Sequence, residues 1–284
     1  YPEAEVAGLN SKTGYEVMNM NLGAMHNTPG DVGSYGLLYQ WGRKDPFPAA
    51  PTLTGTTATV GAPIYDGDDN EIKITNSSQS STADNNLAFA IANPTVCLSN
   101  YAQFNTSRDW LQADMSNDAL WGNPKGAERN ETNDFLNKGA KSFYDPCPVG
   151  WRVPPADVFR NFTASGGYAW VIDDFDIADI SGDGAKSLAD YDYGWTFNLS
   201  DSASSYFPAA ARFDGSYAML MGSMSGLWGS YWGNAPYPGD MFQGGAYSVL
   251  SFQIKDTAGN EMITTSPAGG GARADAYSVR CIRE

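Results

Sequence analysis

A β-rich, loop-rich fold is what this sequence predicts, on three observations. Glycine and proline, 31 and 16 of the 284 residues, cut the chain into short pieces. Long stretches of helical periodicity are scarce, while short aromatic runs bounded by Gly, Asn, Asp and Ser recur throughout. Apolar residues reach 42 % against only 17 % charged ones, enough for a substantial core in one large or two ordinary domains.

Taken in order, the chain falls into three zones. Residues 1 to 48 carry strand-like text, in which Gly36 to Trp41 alternates poorly and reads as buried on both faces. Residues 49 to 140 are a different material, Thr/Ala/Gly-rich at 52 to 62 and polar at 65 to 86. Two short helical patterns follow. Ser107 caps the first, with Trp110, Leu111 and Met115 on one face. The second carries Phe135 and Leu136 and ends at Gly139. Residues 141 to 284 read as a compact unit opened by "YDPCPVGWRVPP" and closed by the strand "AYSVRCIRE", Ala276 to Glu284. Pro146 and Pro148 hold the backbone extended around Cys147, and Gly150 lets the chain turn so that Trp151 points inward. Pro155 then starts a helix whose Val158, Phe159 and Phe162 share one face. No internal repeat is present.

Charge excludes whole classes of partner. With 32 acidic and 17 basic residues the net charge is −15, and no Lys/Arg cluster exceeds two. Binding to phosphate backbones or anionic membranes is driven by basic patches, so neither nucleic acid nor such a membrane surface is expected as a partner. No stretch approaches the ~20 apolar residues of a membrane span. Tyr1 does not open a secretory signal, so a mature or trimmed piece of a longer protein is expected.

Reactive residues are few. The cysteines, at 97, 147 and 281, have no CxxC spacing, which excludes a zinc ribbon or thioredoxin-type site. One bridge with one thiol left over, and three buried thiols, both fit that count. Cys97, in "NPTVCLSNY", lies among apolar neighbours and reads as inert core. The single histidine, His26, reads as a solvated loop residue, which removes most His-based relays and metal clusters. A paired-carboxylate glycosidase stays open, since acids are abundant and aromatics stack on sugars, but no two acids stand in an apolar setting.

One metal candidate stands in "DISGDGAKSLAD". It places Asp179, Ser181 and Asp183 at positions 1, 3 and 5 of an EF-hand-like loop, Gly184 at 6 and Asp190 at 12, oxygen ligands suited to Ca²⁺. Lys186 at position 8, the short Asp at 12 and the lack of flanking helices depart from that pattern. Asp-Gly and Ser-Gly pairs also form ordinary turns. Otherwise no cofactor is expected. For ligand contact the sequence points to Gly226–Ser248, where Trp, Tyr and Phe interleave with Gly, Asn, Pro and Asp. Trp228, Tyr231, Asn234, Tyr237 and Asp240 are expected to face solvent there, while alternation turns Trp232 and Tyr247 into the core.

Six phrases in order carry a family resemblance: "NMNLGAM" (19 to 25), "SYGLLYQWGRKDPFP" (34 to 48), "YDPCPVGWRVP" (144 to 154), "YFPAAARFDGS" (206 to 216), "GLWGSYWGN" (226 to 234) and "YSVRCIRE" (277 to 284). They resemble fimbrillin-type surface proteins of anaerobic Gram-negative bacteria, specifically those with the major paralogous domain, similar to the C-type-lectin and formylglycine-generating-enzyme fold. The resemblance implies an α+β, C-type-lectin-like mixed fold with short helices, antiparallel strands and long loops, one domain over 1–284 with 49–140 as a large insertion. It implies that the first and last strands of the unit pair, which favours a Cys147–Cys281 bridge. It places the aromatic 226–248 region near the lectin-type binding face. It also implies export, a lipid anchor upstream and a non-catalytic role as an adhesin or pilus-associated protein recognising a glycan or a surface protein. A disulfide suits an exported protein. Such bacteria O-glycosylate Asp-Ser/Thr-Ala sequons, and "DSA" (201 to 203) and "DTA" (256 to 258) resemble them. The rival readings are a carbohydrate-active hydrolase and a purely structural pilus subunit in contact with other pilus subunits.

Overall fold

Near the end of the chain, Ile282 and Arg283 pair antiparallel with Arg152 and Trp151. The structure is a computed structural model, and it describes residues 7–49, 64–65, 68–72, 75–77, 86–98, 109–111, 118–126, 128, 135–215, 219–221, 224–238, 245–255, 261–266 and 269–284. Cys147 is bonded to Cys281 with their Cα atoms 6.0 Å apart, beside that strand pair. The free cysteine, Cys97, is buried in the strand Val96–Leu98, and burial pushes its thiol up to about 12. That environment suits an inert core thiol.

The proline-rich turn is held by side chains that do the work of a sheet. Gly150 has φ +77°, a left-handed conformation that turns the chain before Trp151 enters its strand. Asp145 is buried, and its two carboxylate oxygens accept from the backbone N–H groups of Cys147 and Val153, each at 2.8 Å, clamping both sides of the turn. Burial pushes this carboxyl above the usual range, opposed by those N–H groups and by Lys141. The Lys141 ammonium in turn donates to the carbonyls of Cys147 at 2.5 Å and Trp151 at 2.6 Å. Prolines cannot donate to a ladder, so the ammonium supplies donors to the carbonyls of this turn while the carboxylate accepts two of its N–H groups.

The fold is mostly β. A four-stranded sheet runs Gly8–Asn10, Glu16–Met18, Ile282–Arg283, Trp151–Arg152. The main sheet runs Met219–Leu220, Phe213–Asp214, Ala276–Ser278, Trp228–Pro236, Gly245–Lys255, Glu261–Ser266, with Leu37–Gln40 and Pro46–Pro48 on one branch and Gly269–Ala272 on another. A hairpin of Gly194–Ser200 and Ala203–Pro208 stands apart. Its turn exposes Ser202 of the "DSA" stretch, whereas "DTA" lies outside the described residues. Among the described residues one α-helix occurs, Asn86–Ala92, and no helix is long and apolar enough to cross a membrane.

The main sheet divides two cores. One cluster gathers Trp41, Trp110, Trp121, Trp151, Trp232 and Tyr277. The other gathers Phe159, Phe162, Trp195, Phe197, Phe207, Tyr231 and Phe252, with the Phe162 and Phe197 rings stacked at 4.2 Å. The described part of the segment expected as an insertion joins the first core: Ala90, Leu98, Trp110, Leu111, Leu120 and Trp121 all pack there. Three expected helices take other forms. Residues 156–159 are turns and Arg160–Phe162 is a 3-10 helix, although Val158, Phe159 and Phe162 share the core as expected. Phe135 is buried and Leu136 exposed in irregular chain, and Gly139 has φ +64° at a place where a Cβ would also strike Asn123 and the Gly122 carbonyl. Trp110 and Leu111 are buried in irregular chain, where the Trp110 indole N–H donates to the Trp41 carbonyl at 2.8 Å; Ser107 and Met115 lie outside the described residues.

Buried phenols set an alkaline limit. Burial, opposed by the Ser225 hydroxyl and the Gly226 backbone, holds Tyr35 at about 12, and burial raises Tyr206, Tyr231 and Tyr277 further. Unfolded tyrosines ionise near ~10, so above that pH the unfolded state holds fewer protons and stability falls as pH rises. Below pH ~10 these groups impose no loss. Phenolate absorbance titrated upward should therefore show a late, cooperative rise coincident with loss of near-UV circular dichroism. A smooth rise near pH ~10 with the fold intact would contradict this burial.

Candidate functional site

The aromatic strand expected to face solvent is buried on both sides. Trp228–Pro236 runs between Ala276–Ser278 and Gly245–Lys255, and its register shifts between Tyr231 and Trp232. Strand alternation sends consecutive side chains to opposite faces of the sheet, and here both faces are covered: Tyr231 is 0 % exposed in one core and Trp232 0 % exposed in the other. Tyr231 donates to the Pro208 carbonyl at 2.8 Å. Asn234, 1 % exposed, accepts from the Asn123 amide at 2.9 Å and donates to the Lys138 carbonyl at 3.2 Å, joining the strand to two loops. The expectation that Tyr231 and Asn234 are exposed is corrected accordingly. Trp228 is half-buried under the Arg212 guanidinium at 4.4 Å, and Tyr237 half-buried, edge-on to Tyr247. Asp240 lies outside the described residues. Trp232 and Tyr247 are core, as alternation predicts.

The Asp179 loop directs its carboxylates at its own backbone. Asp179 accepts from the N–H groups of Gly182 and Gly184, and Asp183 from that of Ala185. Asp190 is buried and accepts from Ile180, Ser181 and Ser187 as the third residue of a capped 3-10 helix. Burial works to raise this carboxyl, but the amides of Ser181, Ser187 and Ile180 outweigh it and hold it below the usual range. The expected ligands Asp179, Ser181, Asp183 and Asp190 thus form a chain of turns. Among the described residues no group of three or more His, Cys, Asp and Glu converges as a metal site. His26 sits in a loop, 3.6 Å from Asp31.

A concave site does form where the helix Asn86–Ala92 and Trp110 meet the turn at residues 42–45, Phe143 and Tyr144. After Leu37–Gln40 the chain turns at Gly42, φ +87°, where a Cβ would meet Leu120 at 2.5 Å. The turn sends Arg43 inward. Its guanidinium donates to the Gln40 side chain at 3.0 Å and to the carbonyls of Val96 at 2.7 Å, Pro94 at 3.3 Å and Asn93 at 3.4 Å, tying down the chain that leaves the helix Asn86–Ala92. Burial lowers the Arg43 pKa against the pull of Asp45, its ion-pair partner at 3.4 Å. Between this turn, the helix face of Leu87, Ala90 and Ile91, the Trp110 ring and Phe143–Tyr144 lies a cleft of about 150 Å³.

Its size and lining define what it can hold. Sites for drug-sized molecules run from roughly 300 Å³ upward, so this one admits a single ring or side chain. Phe143 is 81 % exposed and edge-on to Tyr144 at 5.6 Å. The Lys44 ammonium stands 5.3 Å from the Phe143 ring centre and has no carboxylate partner among the described residues. With Asp45 neutralised by Arg43, the rim is locally cationic in a chain of net charge −15. The sequence signals that could have found this site are Leu87, Ala90 and Ile91 at i, i+3 and i+4 in "NLAFAIA", and the adjacent Phe143 and Tyr144. Compared with family models, curated proteins and solved structures, the chain has no match.

Proposed function

We propose that this chain is a lectin-like, non-catalytic binding domain displayed on a bacterial surface, an adhesin or pilus-associated protein. Its ligand is a glycan or a surface protein, and one ring or side chain of that ligand seats in the cleft between Lys44, Ile91, Trp110 and Phe143. The observation that carries this reading is the cleft itself, which offers apolar walls, an exposed aromatic ring and the Lys44 ammonium, which has no carboxylate partner among the described residues. The ordered surface-protein motifs and the Cys147–Cys281 bridge support export. The expected lipid anchor upstream and the placement in a pilus belong to the same proposal.

A glycan array and a surface-protein panel, run with Phe143→Ala and Lys44→Ala, test it. Phe143→Ala should weaken binding about tenfold, the order of one aromatic contact, and leave the melting temperature in place because the ring is exposed. Lys44→Ala should weaken acidic ligands selectively. Ligand binding that both variants leave unchanged would move the site elsewhere. Turnover of a polysaccharide library would replace the adhesin with a hydrolase, and binding to pilus subunits alone would leave a structural role.

A further inference from the structure

A second surface carries aromatic rings that the core does not use. Tyr168 is 66 % exposed and Trp170 63 %, their planes lie within 18° of parallel, and their centres are 6.3 Å apart. We propose that these two exposed, near-parallel rings stack against the pyranose rings of an uncharged oligosaccharide. The surface stands by itself and does not depend on the cleft.

The mount is rigid for a local reason. Ala169, between the two rings, is buried and exchanges both backbone hydrogen bonds with Thr265, at 2.9 and 3.0 Å. One such antiparallel bridge orients its neighbours, so residues 168 and 170 both project to the side opposite Ala169. Thr163 donates to the Gly167 carbonyl at 2.8 Å and steadies the entry to this segment. The backbone that carries the rings is therefore held in place without a ligand, so binding need not order this segment.

Shape and charge select the occupant. Pyranose faces present C–H bonds that match the negative face of an aromatic ring, and their hydroxyls need acceptors. Asp173 and Asp174 follow closely in the chain, exposed, while the Lys186 ammonium is taken up by the carbonyls of Asp173 and Phe175. Carboxylated sugars and phosphate headgroups would meet these acids with like charge. A cation held by aromatics is better served by rings set at angles around it than by two near-parallel ones. Two rings and the exposed Val171 present on the order of 300 Å², short of the roughly 800 Å² per partner of a stable protein interface.

The test titrates the intact protein with cellohexaose, galactohexaose and chitohexaose, with polygalacturonate and with oligolysine, read by calorimetry and tryptophan fluorescence. At least one neutral hexamer should bind, and Trp170→Ala and Tyr168→Ala should each weaken it about tenfold, with Trp170→Phe restoring most of the loss. Phe143→Ala, at the cleft, should leave that binding unchanged, which separates the two sites. The proposal is overturned if none of the neutral hexamers binds, if Trp170→Ala leaves their binding intact, or if polygalacturonate or oligolysine is the probe that depends on Trp170.

Discussion

Replacing Cys147 and Cys281 together by serine should lower the stability of the fold by up to about 5 kcal/mol, the chain-entropy value for so long a closed loop. The bridged residues are 134 apart in sequence, and the strands they join, Trp151–Arg152 and Ile282–Arg283, have two residues each. Strands that short cannot hold a register alone. Ile282 also pairs with Val17, so opening the bridge should loosen Glu16–Met18 as well. In urea the doubly substituted protein should unfold at a clearly lower midpoint, and hydrogen exchange should show the loss first at residues 16–18, 151–153 and 281–283. Cys97→Ala, which deletes only a buried sulfur, serves as the control and should cost about 1 kcal/mol. Equal loss from the double substitution and from Cys97→Ala would show that the bridge contributes nothing beyond packing.

The second large effect belongs to Arg280, whose guanidinium is fully buried and has no carboxylate within ion-pair distance among the described residues. It donates to Asn21 Oδ1 at 3.0 Å, Ser205 Oγ at 2.9 Å, and the carbonyls of Tyr206 at 2.7 Å and Met18 at 3.2 Å, and lies 4.1 Å from the Phe207 ring centre. Burial pulls its pKa down to about 10 from 12.5, a charging cost of roughly 3 kcal/mol. Arg280→Met removes that cost but strands several buried acceptors at about 1–3 kcal/mol each. The acceptors win, and the expected net loss is about 3 kcal/mol. Arg280→Lys should recover little, because an ammonium cannot span four acceptors arranged for a planar fork. A methionine variant as stable as the parent would show that those acceptors find other partners.

The turn was legible from local chemistry, prolines around Cys147 and a glycine before Trp151, whereas its bridge to Cys281 was expected only from the family resemblance, because the cysteine count alone also fits three buried thiols. The aromatic strand was misread because the exposed reading assumes one wet face, whereas here both faces of the sheet are covered, Tyr231 by one core and Trp232 by the other. The helical readings at Trp110 and Phe135 failed for another reason. Apolar residues a turn apart look alike whether backbone or side-chain hydrogen bonds hold the chain, and here the bonds come from side chains, as in Trp110 to Trp41 and Asn123 to Asn137. The cleft's helix stripe and its Phe143–Tyr144 pair were visible in the sequence but their meeting was not, since Lys44, Ile91, Trp110 and Phe143 come together only where Arg43 ties down the helix exit. Tyr168 and Trp170 were visible as aromatics, but their exposure depends on a single bridge to Thr265.

The architecture rests on the chain end closing onto the middle of the sequence, and non-reducing peptide mapping of the native protein tests that most directly. One cross-linked peptide pair holding Cys147 and Cys281 is expected, with Cys97 resisting alkylation until denaturant is added. A bridge to Cys97, or three thiols that all alkylate without reductant, would contradict the architecture described.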